Sequence, residues 1–591
     1  MWTHPSTGPP EPAPARRHEW LRTAVVLLVF AAAFAFLTLS SYITKSATWD
    51  EPGHLTSGYF ALHLHDYRLN PGHLPLLRMW AALPLVFMGG IHLDTDTRGW
   101  GNGSEFEAGH EFLYVQNDAD RLLYAARFMT VLLGVLLGIL IFCWIREWMG
   151  FRPAVVVLAL YCLEPNILAH SSLVTTDLGT ACFIFGAVYF LWRLTRKCSA
   201  ANLAGLVAFF ALAEASKFSA LLLWPIAAAL LVLHIGRRAA WPCPTVKVQP
   251  LTSRGHKALV AAGVLVLLGV GSYTAVWAIY GFRYAPTPGS PDVRFHTNPL
   301  TRTAAPQLAA AIDWVDRHHL LPNAWSQGFL LMNAAMQKHA AFLAGDYSSE
   351  GWWYYFPVAF LIKTPLGVLL PCCVGLALCV ARWRRLTLDD LFVLLPIAVF
   401  MSAAVSTPYN IGLRHILPIY PFVLLLAGKP VAELYRRGHC KILLLLPLVA
   451  LVECMWIYPD YLAFFNAFVG GPRNGYKYLA DSNLDWGQDL KQLKAWMDMN
   501  HVPHINLSYF GTADPAYYGI RCTHLLGAPF FARRFVQQPE LPGYVAVSVT
   551  NLQGVYRSPS ARAFYLPLSN REPAAVLGHS IRIYRVDAPW W

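Results

Sequence analysis

Long apolar segments recur along most of the chain, and they constrain its fold more than any other feature. The first segment covers residues 23–42 and is long enough to cross about 30 Å of hydrocarbon. The later segments lie near residues 122–145, 153–170, 174–193, 201–216, 217–235, 258–280, 356–381, 388–406, 411–428 and 441–458. We therefore predict a polytopic α-helical membrane protein with about eleven transmembrane helices, in a range of about 9–13.

The composition favours the same class and excludes a nucleic-acid-binding protein. Hydrophobic residues make up 56% of the chain, charged residues make up 14%, and the mean hydropathy is +0.40. These values are typical of a polytopic membrane protein rather than of several soluble domains. The formal net charge of +12 comes from lysines and arginines that cluster between the apolar segments. That distribution indicates orientation in a membrane and attraction to anionic lipids, so we expect membrane lipids and no nucleic acid as partners.

The basic clusters also predict the orientation of the chain. Arg16, Arg17 and Arg22 precede the first apolar segment. The later basic clusters fall on the same side of the predicted spans, at residues 193–197, 237–238, 382–385 and 436–441. The positive-inside rule makes this side cytoplasmic. We expect residues 1–22 to be a disordered cytoplasmic N-terminus of a multi-pass protein of the bacterial inner membrane, with the C-terminus outside the cytoplasm.

Three polar regions are then predicted on the outer side. Residues 45–120 form a first outer loop and residues 281–355 a later one, within a transmembrane domain that covers residues 23–459. Residues 460–591 are polar enough to fold in water as a small extracytoplasmic α/β domain. Its predicted elements are a helix at Leu490–Met499 and strands at Ile505–Tyr509, Tyr544–Thr550 and Ser580–Val586.

Two shorter stretches receive structural interpretations. Leu74–Gly90 is apolar, but it is short and is interrupted by Arg78 and Pro84, so we expect it to lie along the interface or to re-enter. Residues 466–490 contain a Gly-Pro turn that precedes the helix predicted at Leu490. A turn followed by a capped helix is the favoured interpretation of this stretch, and an acceptor-facing edge is its functional alternative.

Two acidic positions on the predicted outer face are candidates for catalysis. Asp50 and Glu51 follow the first span directly, where a carboxylate is costly unless it has a function. Either one suits the N-cap of an outer helix, a general base for an acceptor hydroxyl, or a metal ligand. Asp177 lies at a second outer turn, where Thr175-Thr176-Asp177 is also a good helix-capping sequence.

Cationic side chains are predicted on the same face. Lys217 is a candidate, although it could instead pair with Glu214. Arg414 and His415 stand where an apolar span begins, and an arginine there can also extend to the interface without any ligand.

Two further basic residues differ in how strongly they indicate a function. Lys363 lies about two turns inside a predicted span, where we expect it to have an anionic partner. His73 stands where the first outer loop returns to the membrane, and a single histidine there is usually only a polar interfacial residue.

The combination of acids and cations on one face favours a group-transfer reaction. Carboxylates suit the activation of a hydroxyl nucleophile, and cations suit a phosphate that is held and stabilised as it leaves. A phosphate at a membrane surface indicates a lipid phosphate. The residues alone leave open a transporter or flippase of lipid-linked sugars, which would place ionisable groups through the membrane midplane.

Several motifs resemble those of the GT-C glycosyltransferases, and in particular the protein O-mannosyltransferase and aminoarabinose-transferase branch that uses polyprenyl-phosphate sugars. The motifs are Asp50-Glu51, Gly58-Tyr59, Asn70-Pro71-Gly72-His73-Leu74-Pro75-Leu76, Leu173-Val174-Thr175-Thr176-Asp177, Ser216-Lys217-Phe218, Gly351-Trp352-Trp353-Tyr354-Tyr355-Phe356-Pro357, Lys363-Thr364-Pro365 and Gly412-Leu413-Arg414-His415-Ile416-Leu417-Pro418. The chain departs from the family at Leu74, where the family has a proline, and at His73, where aminoarabinose transferases have lysine.

The resemblance implies a GT-C fold and a set of roles. Asp50 would be the base that acts on the acceptor, with Glu51 beside it, and Asp177 would help to place acceptor or donor. His73 would contact the lipid phosphate, and the other predicted donor-binding residues are Lys217, Lys363, Arg414 and His415.

The implied activity is an inverting transfer of a sugar from a polyprenyl phosphate to an acceptor hydroxyl on the outer face. The acceptor is a protein, a lipid or a glycan. We expect no required cofactor and no metal ligands among these residues; a divalent metal is compatible with the chemistry but is not expected.

Overall fold

The computed structural model describes residues 13–243, 250–289, 295, 297, 299–527 and 538–590. Most of this part is helical, and the helices are α1 Ala13–Tyr42, α2 Glu51–His63, α3 Pro75–Phe87, α4 Arg98–Asn102, α5 Glu105–His110, α6 Ala119–Met149, α7 Phe151–Cys162, α8 Pro165–Ser171, α9 Asp177–Arg196, α10 Ala200–Glu214, α11 Leu223–Gly236, α12 Arg254–Ile279, α13 Pro299–Ala304, α14 Pro306–Arg317, α15 Asn323–Ala335, α16 Tyr355–Lys363, α17 Leu366–Ala381, α18 Leu388–Val405, α19 Tyr420–Arg436, α20 Cys440–Ile457, α21 Pro472–Gly475, α22 Leu490–Met499, α23 Val549–Gln553 and α24 Pro559–Ser569. The strands are β1 Ala341–Leu343, β2 Asp346–Ser348, β3 Ile505–Ser508, β4 Cys522–His524, β5 Gly543–Ser548, β6 Ala575–Leu577 and β7 Ile581–Val586.

Within the described residues, seven helical segments are long and apolar enough to cross a membrane. They are His18–Tyr42, Ala119–Met149, Asp177–Arg196, Phe218–Gly236, Arg254–Ile279, Leu388–Val405 and Leu413–Arg436, and the bent pair α7 and α8 is an eighth candidate. The chain is therefore a polytopic helical membrane protein. Each predicted span coincides with at least one helix, while the total of about eleven spans stays a prediction.

Two predicted spans are interrupted where the sequence was expected to run on as one helix. Between α7 and α8 the chain bends by 65°, because Glu164 caps the amide of Ile167 and Pro165 starts the second helix. Between α16 and α17 the chain breaks at Thr364, since Pro365 cannot continue the hydrogen-bonding pattern of α16.

The candidate spans differ in how deeply they are buried. In α9 and in the Leu413–Arg436 segment, 89% of the most apolar window is buried, against 22% in α1 and 28% in α12. The first two therefore form the centre of the helical bundle, and the last two present side chains to lipid. The beginnings of the two central segments carry Asp177 and Arg414, which places both groups at the interior of the bundle.

The N-terminal and loop predictions have mixed outcomes. Helix α1 begins at Ala13, so the part of the predicted disordered segment that follows residue 12 is helical, and residues 1–12 lie outside the described residues. The later outer loop contains α13, α14, α15 and a β1–β2 hairpin, and its residues 290–294, 296 and 298 lie outside the described residues. Helix α3 has 13 residues, too few to cross the bilayer, as predicted for Leu74–Gly90.

The C-terminal region contains a five-stranded mixed sheet. Its strand order is β4-β3-β5-β7-β6, with β3 parallel to β4 and β5, and β7 antiparallel to β5 and β6. The predicted helix at Leu490–Met499 is confirmed, and the three predicted strands correspond to β3, β5 and β7.

The predicted cap of α22 is wrong. Asp489 occupies the N-cap position but makes no side-chain cap bond. Its carboxylate lies 2.6 Å from the Lys45 ammonium, accepts a hydrogen bond from Ser580, and is fully buried. Lys45 also pairs with Asp460, so this one lysine ties the end of α1 to the C-terminal region. The tertiary ion pair takes the place of the local helix cap.

Candidate active site

Four charged side chains from distant parts of the sequence meet at one site. Asp50 stands immediately before α2, and Asp177 is the first residue of α9. Lys217 precedes a short 3₁₀ helix at Phe218–Leu222, and Arg414 lies in a second 3₁₀ helix at Leu413–Ile419. All four therefore sit at helix beginnings, where the backbone changes direction and side chains of different elements can converge.

Arg414 links the two acids, and Lys217 pairs with the second one. The Arg414 Nη1 atom lies 2.7 Å from Asp50 Oδ2 and 3.8 Å from Asp177 Oδ2. The Lys217 Nζ atom lies 2.5 Å from Asp177 Oδ1. The side chains of Asp50 and Lys217 are 17% and 22% exposed, so the cluster is shielded from bulk water but is reachable from one side.

The structure decides against the simpler structural interpretations of these residues. Asp50 makes no side-chain cap bond to α2, and Thr176 makes none to α9. Lys217 pairs with Asp177 and not with Glu214. Arg414 does not extend to the interface, because its guanidinium lies over the Trp486 ring at 4.3 Å and its side chain is 11% exposed.

Two histidines pack beside the acids. The ring centroids of His54 and His73 are 4.7 Å apart. Burial and the positive charge of Arg78 lower the pKa of His54 to about 3, and burial and the adjacent His54 ring hold the pKa of His73 well below its ordinary value. In its neutral form His73 can still donate a single N–H to a phosphate, which is the contact that the resemblance implied.

The remaining predicted donor-binding residues have different surroundings. His415 directly follows Arg414 in the chain, and its ring packs edge-on against Tyr409, with centroids 5.2 Å apart. Lys363 is 1% exposed, and its ammonium donates to the carbonyl of Leu462 at 2.9 Å and to that of Asn483. Within the described residues no carboxylate pairs directly with Lys363, and Glu164 is the acid that acts on it at longer range. The direct partners are backbone carbonyls, which no sequence pattern predicts.

Glu51 lies in a closed ion pair rather than beside Asp50. Its carboxylate accepts from the Arg127 guanidinium at 2.8 and 2.6 Å and from the backbone N–H of Thr48 at 2.8 Å and Val174 at 2.9 Å. Both charged side chains have zero exposure. Because Val174 is three residues before Asp177, Glu51 fixes the turn that carries the second acid relative to the turn that carries the first.

A segment from the C-terminal region completes the site. Residues 481–490 lie along the first outer loop, with hydrogen bonds from Trp49 N–H to the Trp486 carbonyl at 2.8 Å and from Ser46 N–H to the Gln488 carbonyl at 2.9 Å. Both bonds are made by residues that precede Asp50 in the chain. The segment therefore supplies the ring on which Arg414 lies and also fixes the backbone that precedes Asp50.

Several functional candidates were missed by the sequence analysis. Arg127 lies inside an apolar run, and a charge in a predicted span is a usable signal that was not followed. His54, Glu105 and Trp486 carry no such signal, because their importance comes from contacts with residues far away in the chain.

Several buried polar atoms near the four charged groups have no hydrogen-bond partner within the described residues. They are His54 Nδ1, Glu105 Oε2, His170 Nδ1, Thr175 Oγ1, Arg414 Nε and His415 Nε2. Such atoms are available to a polar ligand or to water. In the same part of the chain, no group of three or more His, Cys, Asp or Glu side chains is arranged to hold a metal ion.

One family model matches part of the chain. The family model of dolichyl-phosphate-mannose-protein mannosyltransferases matches residues 119–248, a segment that contains Asp177 and Lys217. The resemblance to the GT-C glycosyltransferases is confirmed. A search of curated proteins returned no match.

Solved structures of GT-C glycosyltransferases are similar to this chain at low identity. The Saccharomyces cerevisiae protein O-mannosyltransferase Pmt1-Pmt2 complex is 18% identical with a TM-score of 0.33, over 48% of this chain and 36% of that one. ArnT from Cupriavidus metallidurans is 12% identical with a TM-score of 0.35, over 95% and 98%. The Archaeoglobus fulgidus oligosaccharyltransferase is 12% identical with a TM-score of 0.45, over 92% and 72%. The chain thus spans about a third of the length of the yeast protein that it matches.

Proposed function

We propose that the protein is an inverting glycosyltransferase that moves a sugar from a polyprenyl-phosphate donor to an acceptor hydroxyl at the outer face of the membrane. Asp50 acts as the general base on the acceptor. Asp177 places Lys217 and Arg414, which hold the donor phosphate together with an N–H of His73. His415 lines the donor side. Glu51 and Lys363 support the site and take no part in the reaction.

The observation that supports this proposal is the arrangement of two acids around shared cations. One guanidinium lies within 4 Å of both Asp50 and Asp177, and Lys217 extends the positive charge on the far side of Asp177. The ion pairs hold these flexible side chains in place before substrate arrives, which lowers the entropic cost of binding. An incoming phosphate can then exchange for a carboxylate on Arg414 or use the N–H of its free Nε.

The proposed reaction is a single displacement. The acceptor oxygen attacks the anomeric carbon of the sugar, and the bond from that carbon to the phosphate oxygen breaks. The proton of the acceptor passes to Asp50, and the lipid monophosphate leaves as a dianion stabilised by Arg414 and Lys217. One in-line attack inverts the anomeric configuration, and the balance requires no oxidant and no metal.

The choice of donor is supported by the family match and by the position of the site. The matched family is described by transfer from dolichyl-phosphate-mannose, a polyprenyl-phosphate sugar. The cations lie at the beginnings of the central helical segments, so a lipid tail could extend along the bundle while its phosphate stays at the site. We propose a multi-pass arrangement in a bacterial inner membrane with this face outside.

Reconstitution into proteoliposomes tests the proposal. The purified chain is given polyprenyl phosphates that carry different radiolabelled sugars, with peptide, lipid and glycan acceptors. We expect release of free polyprenyl phosphate and a product of inverted anomeric configuration. Asp177→Asn should reduce this release about 100-fold or more by disordering the cations, while Asp498→Asn, on an exposed helix face, should not change it. Movement of intact donor across the bilayer without release of polyprenyl phosphate would instead identify a flippase.

A further inference from the structure

Glu105 is a half-buried acid with one fully buried carboxyl oxygen, and the proposed reaction does not use it. It begins α5 in the first outer loop. Its Cβ and Cγ atoms and its carbonyl oxygen each lie 3.6 Å from the position that a Cβ atom at Gly53 would occupy. Gly53 is in the first turn of α2, three residues after Asp50. Helix α5 therefore packs in van der Waals contact against the first turn of α2, the turn that Asp50 precedes.

The neighbouring aromatic residues hold this arrangement in place. Phe106 packs edge-on against Trp49, with ring centroids 6.1 Å apart, and Trp49 stacks on Phe510 at 4.8 Å. Phe106, which follows Glu105, is thus packed against Trp49, which precedes Asp50. Both acids are therefore carried on backbone segments that are packed together rather than on flexible loops.

The carboxyl oxygen Oε2 of Glu105 is buried and makes no hydrogen bond within the described residues. Other charged groups on α5 have their own partners, since Glu107 lies 3.7 Å from Arg98 and His110 lies 3.0 Å from Asp514. The charged groups that act on Glu105 are Asp50 and Arg78. A buried carboxyl oxygen without a hydrogen-bond partner, on a side chain that a second acid repels, is unusual as a structural element.

We propose that Glu105 is the second member of a proton relay that begins at Asp50. This inference rests on the proposed function. In each cycle Asp50 takes the proton of the acceptor hydroxyl, which neutralises its ion pair with Arg414. The proton then passes to the Glu105 carboxylate, the Asp50–Arg414 pair re-forms, and Glu105 releases the proton to water. Glu105 does not contact the substrate in this scheme and acts on the reaction only through Asp50.

The electrostatics of Glu105 suit this role. Burial and the nearby charge of Asp50 raise the pKa of Glu105 to about 7, against the opposing effect of Arg78. A group with this pKa accepts and releases protons at comparable rates near neutral pH. The relay requires ionised Glu105, so transfer should fall as the pH decreases through this value.

Infrared spectroscopy of the full chain in lipid nanodiscs tests the pairing without any substrate. The difference between wild type and Glu105→Gln isolates the carboxyl band of Glu105. In wild type we expect a band from the protonated Glu105 carboxyl at pH 6 that disappears above pH 8. In Asp50→Asn the band should disappear about one pH unit lower, because the negative charge that repels ionised Glu105 has been removed. A band that is absent at pH 6, or that titrates identically in Asp50→Asn, overturns the relay.

Transfer assays test the relay in the reaction. Glu105→Gln should lower kcat about tenfold, leave the KM for the donor unchanged, and abolish the decline in rate between pH 8 and pH 6. Glu105→Asp keeps a carboxyl and should keep that decline, and Glu107→Gln on the same helix is the matched control. If wild type transfers sugar and Glu105→Gln retains the wild-type pH profile, the relay is wrong. If wild type transfers nothing, the proposed function fails while the infrared result still decides the pairing.

Discussion

Asp50 and Glu51 are neighbours in sequence, yet they lie in two contrasting ion-pair sites. Glu51 is fully buried with Arg127, and its two oxygens also accept hydrogen bonds from the backbone of Thr48 and Val174. Asp50 pairs with Arg414 at a partly exposed position surrounded by polar atoms without partners. The difference teaches that the number of satisfied hydrogen bonds, and not the presence of an ion pair, separates a structural carboxylate from one that is available for chemistry.

Removing one partner of the closed site should have the largest effect on stability. Glu51→Gln leaves the Arg127 guanidinium buried without a counter-charge, so we expect a loss of about 3–5 kcal/mol in unfolding free energy. The measurement is unfolding of the detergent-solubilised protein by heat or denaturant. Glu433→Gln, whose partners Arg436 and Arg437 are exposed, is the control and should cost below about 1 kcal/mol. Equal losses for both variants would show that Glu51 has no special structural role.

The open site should respond mainly in activity. Arg414→Lys keeps the positive charge but loses the planar guanidinium that reaches both acids and lies over Trp486. We expect transfer from the donor to fall about 10- to 100-fold with little change in unfolding temperature. The exposed Arg436→Lys serves as the matched control. A variant that transfers normally would show that any cation suffices at this position.

A third prediction concerns the segment that joins the two regions. Burial, with smaller contributions from Asp489 and Asp481, raises the pKa of Asp485 from 3.8 to about 8, although Thr550 donates to it. Because folding raises this pKa, the contribution of Asp485 to stability is full below about pH 4 and declines as the pH rises towards 8. Asp485→Asn should remove this decline and stabilise the protein by about 1–3 kcal/mol at pH 8. Unfolding free energies measured from pH 5 to pH 8 would show whether the two curves diverge as expected.

Much of the helical architecture was predictable because apolar length and basic flanks are local properties of the sequence. The helix at Leu490–Met499 and the cores of three strands were predictable for the same reason. The breaks at Glu164 and Thr364 were not foreseen, since each lies inside an otherwise continuous apolar run. Both precede a proline, which shows that an X-Pro step within a predicted span needs separate attention.

The candidate site was predictable in residue type but not in pairing. Asp50, Asp177, Lys217 and Arg414 were recognised as charged groups on one face, and the structure brings them together. Each of these residues pairs with a residue at least 40 positions away in the chain. Such a pairing cannot be predicted from the spacing of residues in the sequence. Lys363 shows the limit most clearly, because its partners are carbonyl oxygens that every residue possesses.

The most direct test of this account compares Asp50→Asn with Glu51→Gln in the same proteoliposome transfer assay, with rates expressed per folded molecule. Asp50→Asn should lower the rate about 10²- to 10⁴-fold because the general base is lost. The variant also loses the ion pair with Arg414, but Arg414 keeps Asp177 as a counter-charge, so we expect little loss of stability. Glu51→Gln should retain transfer within about tenfold per folded molecule despite its lower stability. Wild-type transfer by a well-folded Asp50→Asn protein would contradict the account.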